Sequence, residues 1–165
     1  MFGIIGWKNS GKTTLVVKLI PEIMSRGFTV SSMKHTHHNF DIDKPGKDSF
    51  EHRKAGATEV MAGSSKRWAL IHELVAQEEP TMVELIKLMT PVDLLLVEGF
   101  KGNQHKKIEV HRAATGKPLI CESDPTIVAV ASDEALPNLN IPVLRINNVA
   151  EVTNFVLEYC ELGAS

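Results

Sequence analysis

Gly6-Trp7-Lys8-Asn9-Ser10-Gly11-Lys12-Thr13 fits the pattern GxxxxGK[ST] and stands between an apolar run, Phe2 to Ile5, and an amphipathic segment that begins near Thr13. A strand before and a helix after are what a phosphate-binding loop requires. The glycines at 6 and 11 let the backbone fold its N–H groups inward around phosphate oxygens, where a side chain would block the approach. Lys12 then neutralises the β and γ phosphates, and Thr13 holds Mg²⁺ through its hydroxyl. Asn9, Ser10 and Thr14 complete the loop expected to touch phosphate, and the helix dipole adds partial positive charge at the same end.

Working outward, apolar strand-like runs alternate with helical patterns, the signature of an α/β domain with a mainly parallel sheet. The predicted fold is a three-layer P-loop domain spanning 1–165, with an added hairpin. Leu15, Val16, Leu19, Ile20, Ile23 and Met24 mark one face of the first helix, and Gly27 is its expected stop. Pro21 lies inside that segment and predicts a kink or break there. A second strand is expected near Phe28 to Lys34 and a helix over Ser49 to Ala55. Glu59 to Ala62 and Trp68 to His72 read as a hairpin around Gly63-Ser64-Ser65. Thr81 to Met89 reads as a helix. Val92 to Val97 is nearly all apolar, as a strand buried on both faces must be. The alternation in Lys107 to His111 suggests an edge or half-exposed strand. Thr126 to Ala131 and Val143 to Ile146 are two further strands, and the last helix places Val149, Val152, Phe155, Val156 and Tyr159 on its buried side.

The chain has 165 residues, 43% of them hydrophobic and 23% charged, enough for one ordinary core but not for a second full domain. Its net charge of −2 argues against nucleic-acid binding through bulk charge, so an anionic ligand needs a local site. Four apolar residues before the glycine loop are too few for a signal-peptide core, and no run approaches membrane-spanning length, so a cytoplasmic protein without membrane contact is expected. Cys121 and Cys160 are the only cysteines, without CxxC spacing, and are expected to be buried free thiols.

A nucleotide site also needs an acid at the end of a buried strand, and Asp93-Leu94-Leu95-Leu96-Val97-Glu98-Gly99 supplies it. Glu98 leaves the carboxyl end of that strand, where open α/β sheets bind ligands, and Gly99 lets the chain turn close to phosphate. Glu98 is therefore expected to contact the metal or orient water, with Lys12 as its catalytic partner. Asp93, at the opposite end, reads as structural or solvated. The stretch Lys34 to Ser49 is dense in groups for metals and phosphates. Asp41 or Asp43 is expected near Mg²⁺, and Lys34, Lys47 and Arg53 near phosphates. His35, His37 and His38 fit no closed zinc motif, although imidazole is a common ligand for transition metals. Gly99 to Lys107 reads as a basic loop able to close over an anion, with Lys101 as its phosphate contact. The guanine-reading NKxD is absent, because Asn103-Gln104-His105-Lys106 lacks the aspartate. Asp133, after an apolar strand, is the candidate base reader, with a turn cap as its alternative role.

Taken in order, the glycine loop, Lys34-His35-Thr36-His37-His38 with Phe40-Asp41-Ile42-Asp43, Gly46-Lys47-Asp48-Ser49, Arg53-Lys54-Ala55-Gly56-Ala57 and Leu96-Val97-Glu98-Gly99-Phe100-Lys101 resemble the MobB family of molybdopterin-guanine dinucleotide biosynthesis. The resemblance runs from the N-terminus to about Asp133. It implies a homodimeric GTP-binding protein that hydrolyses GTP weakly. It also implies assistance to the guanylyltransferase MobA, which attaches GMP to molybdopterin, with molybdopterin as a further candidate ligand. Two alternatives compete with this adapter role. A P-loop kinase would use the basic residues at 101, 106, 107 and 112 to hold a phosphoryl acceptor, but the arginine-rich lid of such enzymes has no counterpart among the scattered Arg53, Arg67, Arg112 and Arg145. A metallochaperone GTPase would use the three histidines.

Overall fold

The computed structural model describes residues 1–36 and 40–163 and divides into two compact units, Met1–His35 with Thr90–Ser165, and Thr36–Met89. In the first unit β1 (Phe2–Ile5), β2 (Val30–Lys34), β5 (Leu94–Glu98), β6 (Lys107–His111), β7 (Ile127–Ser132) and β8 (Val143–Arg145) form one sheet in the order β2-β5-β1-β6-β7-β8. Every pairing in it is parallel. The residues that follow these strands therefore share one edge, which is where the glycine loop begins. Helices α1 (Lys12–Ser25) and α4 (Val149–Tyr159) cover one face. There Leu15, Leu19, Ile23, Val152 and Val156 pack with Phe2, Ile4, Leu96, Ile108 and Ala129 in a common core. Each such side chain contributes ~1.5–3 kcal/mol by leaving water.

Helix α1 runs unbroken through Pro21, so of the expected kink or break the break does not occur. Proline removes one backbone donor, and buried Leu19 and Ile23 anchor the helix on either side of it. Strand β6 also departs from expectation: it is interior, between β1 and β7, and buried at all five positions. Alternation sends Ile108 and Val110 to the helix-covered face and Lys107, Glu109 and His111 to the other. That second face is not solvent, because the segment after β6 folds over it. Glu109 accepts the N–H groups of Ile120 and Cys121 at 2.9 Å. Lys107 donates to the carbonyls of Asn103 (2.6 Å) and Lys101 (3.2 Å) and to Thr126 Oγ1 (2.7 Å), and lies 3.5 Å from Asp124. Polar alternation here marks buried charges, Lys107 and Glu109, that are hydrogen-bonded rather than exposed. Asp93, exposed just before β5, takes the structural one of its two expected roles, its carboxylate accepting from the N–H and hydroxyl of Thr29. Burial and neighbouring Glu109 push the Cys121 thiol up to about 11, so this free cysteine is held as an inert thiol.

The second unit holds α2 (Asp48–Lys54), the antiparallel pair β3 (Glu59–Gly63) and β4 (Trp68–His72), and α3 (Met82–Lys87). A capping box starts α3: Thr81 Oγ1 accepts from the N–H of Glu84, whose carboxylate accepts from the N–H of Thr81.

Candidate functional site

The glycine loop depends on glycine at two points. A side chain at Gly6 (φ +153°) would run into the carbonyl oxygen of Val110 and stand 2.6 Å from Ser10 Oγ. Gly11 (φ +96°) is the residue before α1 and lies in the left-handed region, as does Asn9 (φ +66°). No side chain caps α1 and its first turn carries no acid, so its N–H groups are left to meet an anion. Ser10 Oγ is buried with no hydrogen-bond partner among the described residues. Lys12 Nζ donates to the carbonyl of Trp7 at 2.8 Å, folding back over its own loop. Burial holds the Lys12 ammonium below the usual lysine range, with Glu98 acting in the opposite direction. These features fit a phosphate chain.

Glu98, only 8% exposed, ends β5 beside the loop and accepts from Thr13 Oγ1 at 2.9 Å. Lys34 ends β2 with its Nζ 3.3 Å from the same Glu98 oxygen and 3.4 Å from Thr13 Oγ1. A hydroxyl and a carboxylate oxygen are hard ligands of the kind Mg²⁺ takes, the others coming from water and phosphate, so Thr13 and Glu98 fit the metal. In their present arrangement the Lys34 ammonium gives the buried carboxylate its positive neighbour.

The chain then turns through Gly99 (φ +94°) and Phe100 (φ +51°). A side chain at Gly99 would come within 3.2 Å of the His35 backbone oxygen, so the loops after β2 and β5 meet closely here. The rings of His35 and Phe100 pack 4.5 Å apart. Lys101 lies over the Trp7 ring at 4.6 Å, and Trp7 Nε1 donates to the carbonyl of Pro118 at 2.7 Å. Lys101 thus ties the loop after β5 to the glycine loop.

On the opposite flank a cavity of about 490 Å³ is lined by Trp7, Lys8, Asn9, Arg112, Ala114, Thr115 and Lys117. Asp133 and Arg112 follow β7 and β6 at this edge. Both oxygens of Asp133 are engaged: Oδ1 accepts the N–H of Ala113 at 3.1 Å and Oδ2 that of Arg112 Nη1 at 3.2 Å. The Ala113 N–H, aided by the Arg112 charge, keeps the Asp133 carboxyl below its ordinary range. Arg112 was legible only as one of several basic residues. The signal that finds it is its place just beyond the carboxyl end of β6.

Other expected residues have partners of their own. Lys107 is sealed beneath the sheet and can hold no acceptor, which corrects the basic-loop reading for that residue. In the second unit Arg53 pairs with Asp41 and, at 2.8 Å, with Glu73, so its charge is already matched there. Asp43 Oδ1 accepts from the Lys44 N–H and the Ser49 hydroxyl, both at 3.0 Å. His37 and His38 lie outside the described residues. Among those described, no group of three His, Cys, Asp or Glu side chains is arranged to hold a metal ion.

The family model "Molybdopterin guanine dinucleotide synthesis protein B" matches residues 1–133. The "Molybdopterin-guanine dinucleotide biosynthesis adapter protein" of Escherichia coli is 43% identical over 164 residues, covering 98% of this chain and 93% of that protein. The protein of the same description from Haemophilus influenzae is 39% identical, covering 94% and 86%. A crystal structure of "molybdopterin-guanine biosynthesis protein B" is 27% identical and superposes with a TM-score of 0.74 over 96% of this chain and 98% of that one. A MobB homologue from Bacillus stearothermophilus, 22% identical, has the same fold, with a TM-score of 0.71 and 97% of each chain covered.

Proposed function

This chain belongs to the molybdopterin guanine dinucleotide synthesis protein B family, and from that premise we propose that it is a GTP-binding adapter in molybdenum cofactor biosynthesis. It assists the guanylyltransferase that joins GMP to molybdopterin, and it hydrolyses GTP slowly with Mg²⁺. The observation that carries the nucleotide part is the 2.9 Å contact between Thr13 and Glu98 beside an uncapped helix start and Lys12. Phosphate then contacts Gly6, Asn9, Ser10, Gly11, Lys12, Thr13 and Thr14, with Lys34, Gly99 and Lys101 along the flank. Thr13 and Glu98 face the metal. When bound, Mg²⁺ would neutralise charge on the β and γ phosphates. The adapter role comes from the E. coli and H. influenzae relatives, which carry that description. No described helix is long and apolar enough to cross a membrane; the cytoplasmic placement follows instead from the proposed partnership with the guanylyltransferase.

Calorimetry with GTP and ATP in Mg²⁺, followed by addition of the guanylyltransferase, tests this reading. Tighter binding of GTP and association with the partner are expected. A strong ATP preference with no partner signal would overturn it in favour of a kinase.

The dimer expected from the resemblance has a surface to use. Met61 and Leu70 are directly paired across the hairpin, and Trp68 is two residues from Leu70, so the three share one face. They are 66%, 43% and 68% exposed. A two-stranded sheet is marginal alone, and such a face gains from being covered. Sedimentation at micromolar concentration should show a dimer that Trp68→Asp with Leu70→Asp converts to monomer. A monomeric wild type overturns the assignment.

A further inference from the structure

We infer that Arg112 is the arginine that grips the nucleotide's phosphate chain, and that Asp133 positions it rather than reading the base. The inference rests on the nucleotide-binding reading above and adds a residue to that site. Arg112 leaves β6 at the edge where the glycine loop leaves β1, and its guanidinium lies against Gly11. A Cβ built on Gly11 would stand 3.2 Å from Arg112 Nε and 3.7 Å from Nη2. Nη1 points the other way, to Asp133 Oδ2 at 3.2 Å. The planar fork is thus divided: one nitrogen is tied to the carboxylate, and the Nε and Nη2 edge is turned towards the start of α1. That edge offers two parallel N–H donors, the geometry that matches two oxygens of a phosphate group.

Asp133 is built for the holding task. Its Oδ1 is fixed by the Ala113 N–H at 3.1 Å, the backbone of the residue that follows Arg112. One carboxylate therefore orients both the side chain of Arg112 and the turn that carries it. The Ala113 and Arg112 donors take one acceptor site on each oxygen of Asp133, so guanine N1 and N2 would have to share both oxygens with bonds that already fix the carboxylate's direction. The Arg112 side chain is 33% exposed and borders the cavity beside Trp7 and Asn9, so a ligand can reach it without unfolding the loop. Glycine at 11 is the complement of this arrangement, since a side chain there would crowd the guanidinium.

Calorimetric titration with GTP, ATP and inorganic tripolyphosphate tests the assignment in wild type, Arg112→Ala, Asp133→Asn and the double variant, with Lys12→Ala as control. Arg112→Ala should weaken all three ligands about tenfold, the size of one lost charge-assisted contact. Asp133→Asn, nearly isosteric and so a guard against simple misfolding, should weaken GTP and ATP by a common factor. It should add little once Arg112 is gone, because both changes remove one device. A loss confined to GTP in Asp133→Asn overturns the inference and restores a base-reading aspartate. Unchanged affinities in Arg112→Ala, with binding still lost in Lys12→Ala, overturn the inference alone. Failure of the wild type to bind any nucleotide overturns both it and the reading beneath it.

Discussion

Lys12→Ala is expected to lower GTP affinity by roughly 100-fold, the largest single effect in the protein, while leaving the melting temperature nearly unchanged. The Lys12 ammonium is partly buried, and its one hydrogen bond among the described residues is to a neutral carbonyl, that of Trp7 at 2.8 Å. Exchanging that carbonyl for phosphate oxygens turns a neutral contact into charge-assisted ones worth ~1.5–3 kcal/mol each. Two such contacts, less the bond given up, amount to about 3 kcal/mol, which is the stated factor. Alanine costs the fold only the loop bond, on the order of 1 kcal/mol. The pH dependence has a defined sign. Burial holds the Lys12 pKa below the lysine range, so the free protein loses this charge at a lower pH than an exposed lysine would. Phosphate favours the charged form, so binding takes up a proton there and weakens as pH rises through the lowered value. Titration of wild type and variant across alkaline pH checks both points. An affinity that ignores the substitution removes the phosphate loop as the binding site.

The parts of this site that were legible in sequence are those enforced by the local backbone. Gly6 and Gly11 occupy conformations or contacts that refuse a side chain, so the motif declares itself. Glu98 was found because an apolar run ends at it, and the hairpin because the turn-forming Gly63-Ser64-Ser65 marks the bend, which the structure closes over residues 64–67. What stayed hidden depends on distant partners. Lys107 and Glu109 look solvent-facing until residues 101–103 and 120–121 arrive to bond them. Arg112 and Asp133 are 21 positions apart, and only the parallel pairing of β6 with β7 places them side by side. Lys34 likewise meets Thr13 only because β2 and β1 flank β5 in one parallel sheet. Periodicity also could not say that Pro21 would be carried within α1, since the packing of Leu19 and Ile23 that holds the helix is tertiary.

Glu98→Gln separates nucleotide binding from what the carboxylate does. The amide keeps the shape of the side chain and an oxygen able to accept from Thr13 Oγ1, so the loop and its phosphate contacts should survive. The negative charge does not survive. It is the group that opposes Lys34 at 3.3 Å and that a divalent cation beside Thr13 would need. In wild type, Mg²⁺ should tighten GTP binding relative to binding in chelator. In the variant that ratio should fall to near one, because the cation then meets only a hydroxyl and the phosphates. Affinity in chelator should hold or improve, since a negative charge facing the nucleotide is gone. Hydrolysis should drop by about 100-fold, the lower end of what a positioned proton acceptor contributes. The two readouts divide the possible roles. A lost Mg²⁺ response with hydrolysis falling in step assigns Glu98 to the metal. A preserved Mg²⁺ response with hydrolysis lost assigns it to the attacking water, and normal values of both remove Glu98 from either role.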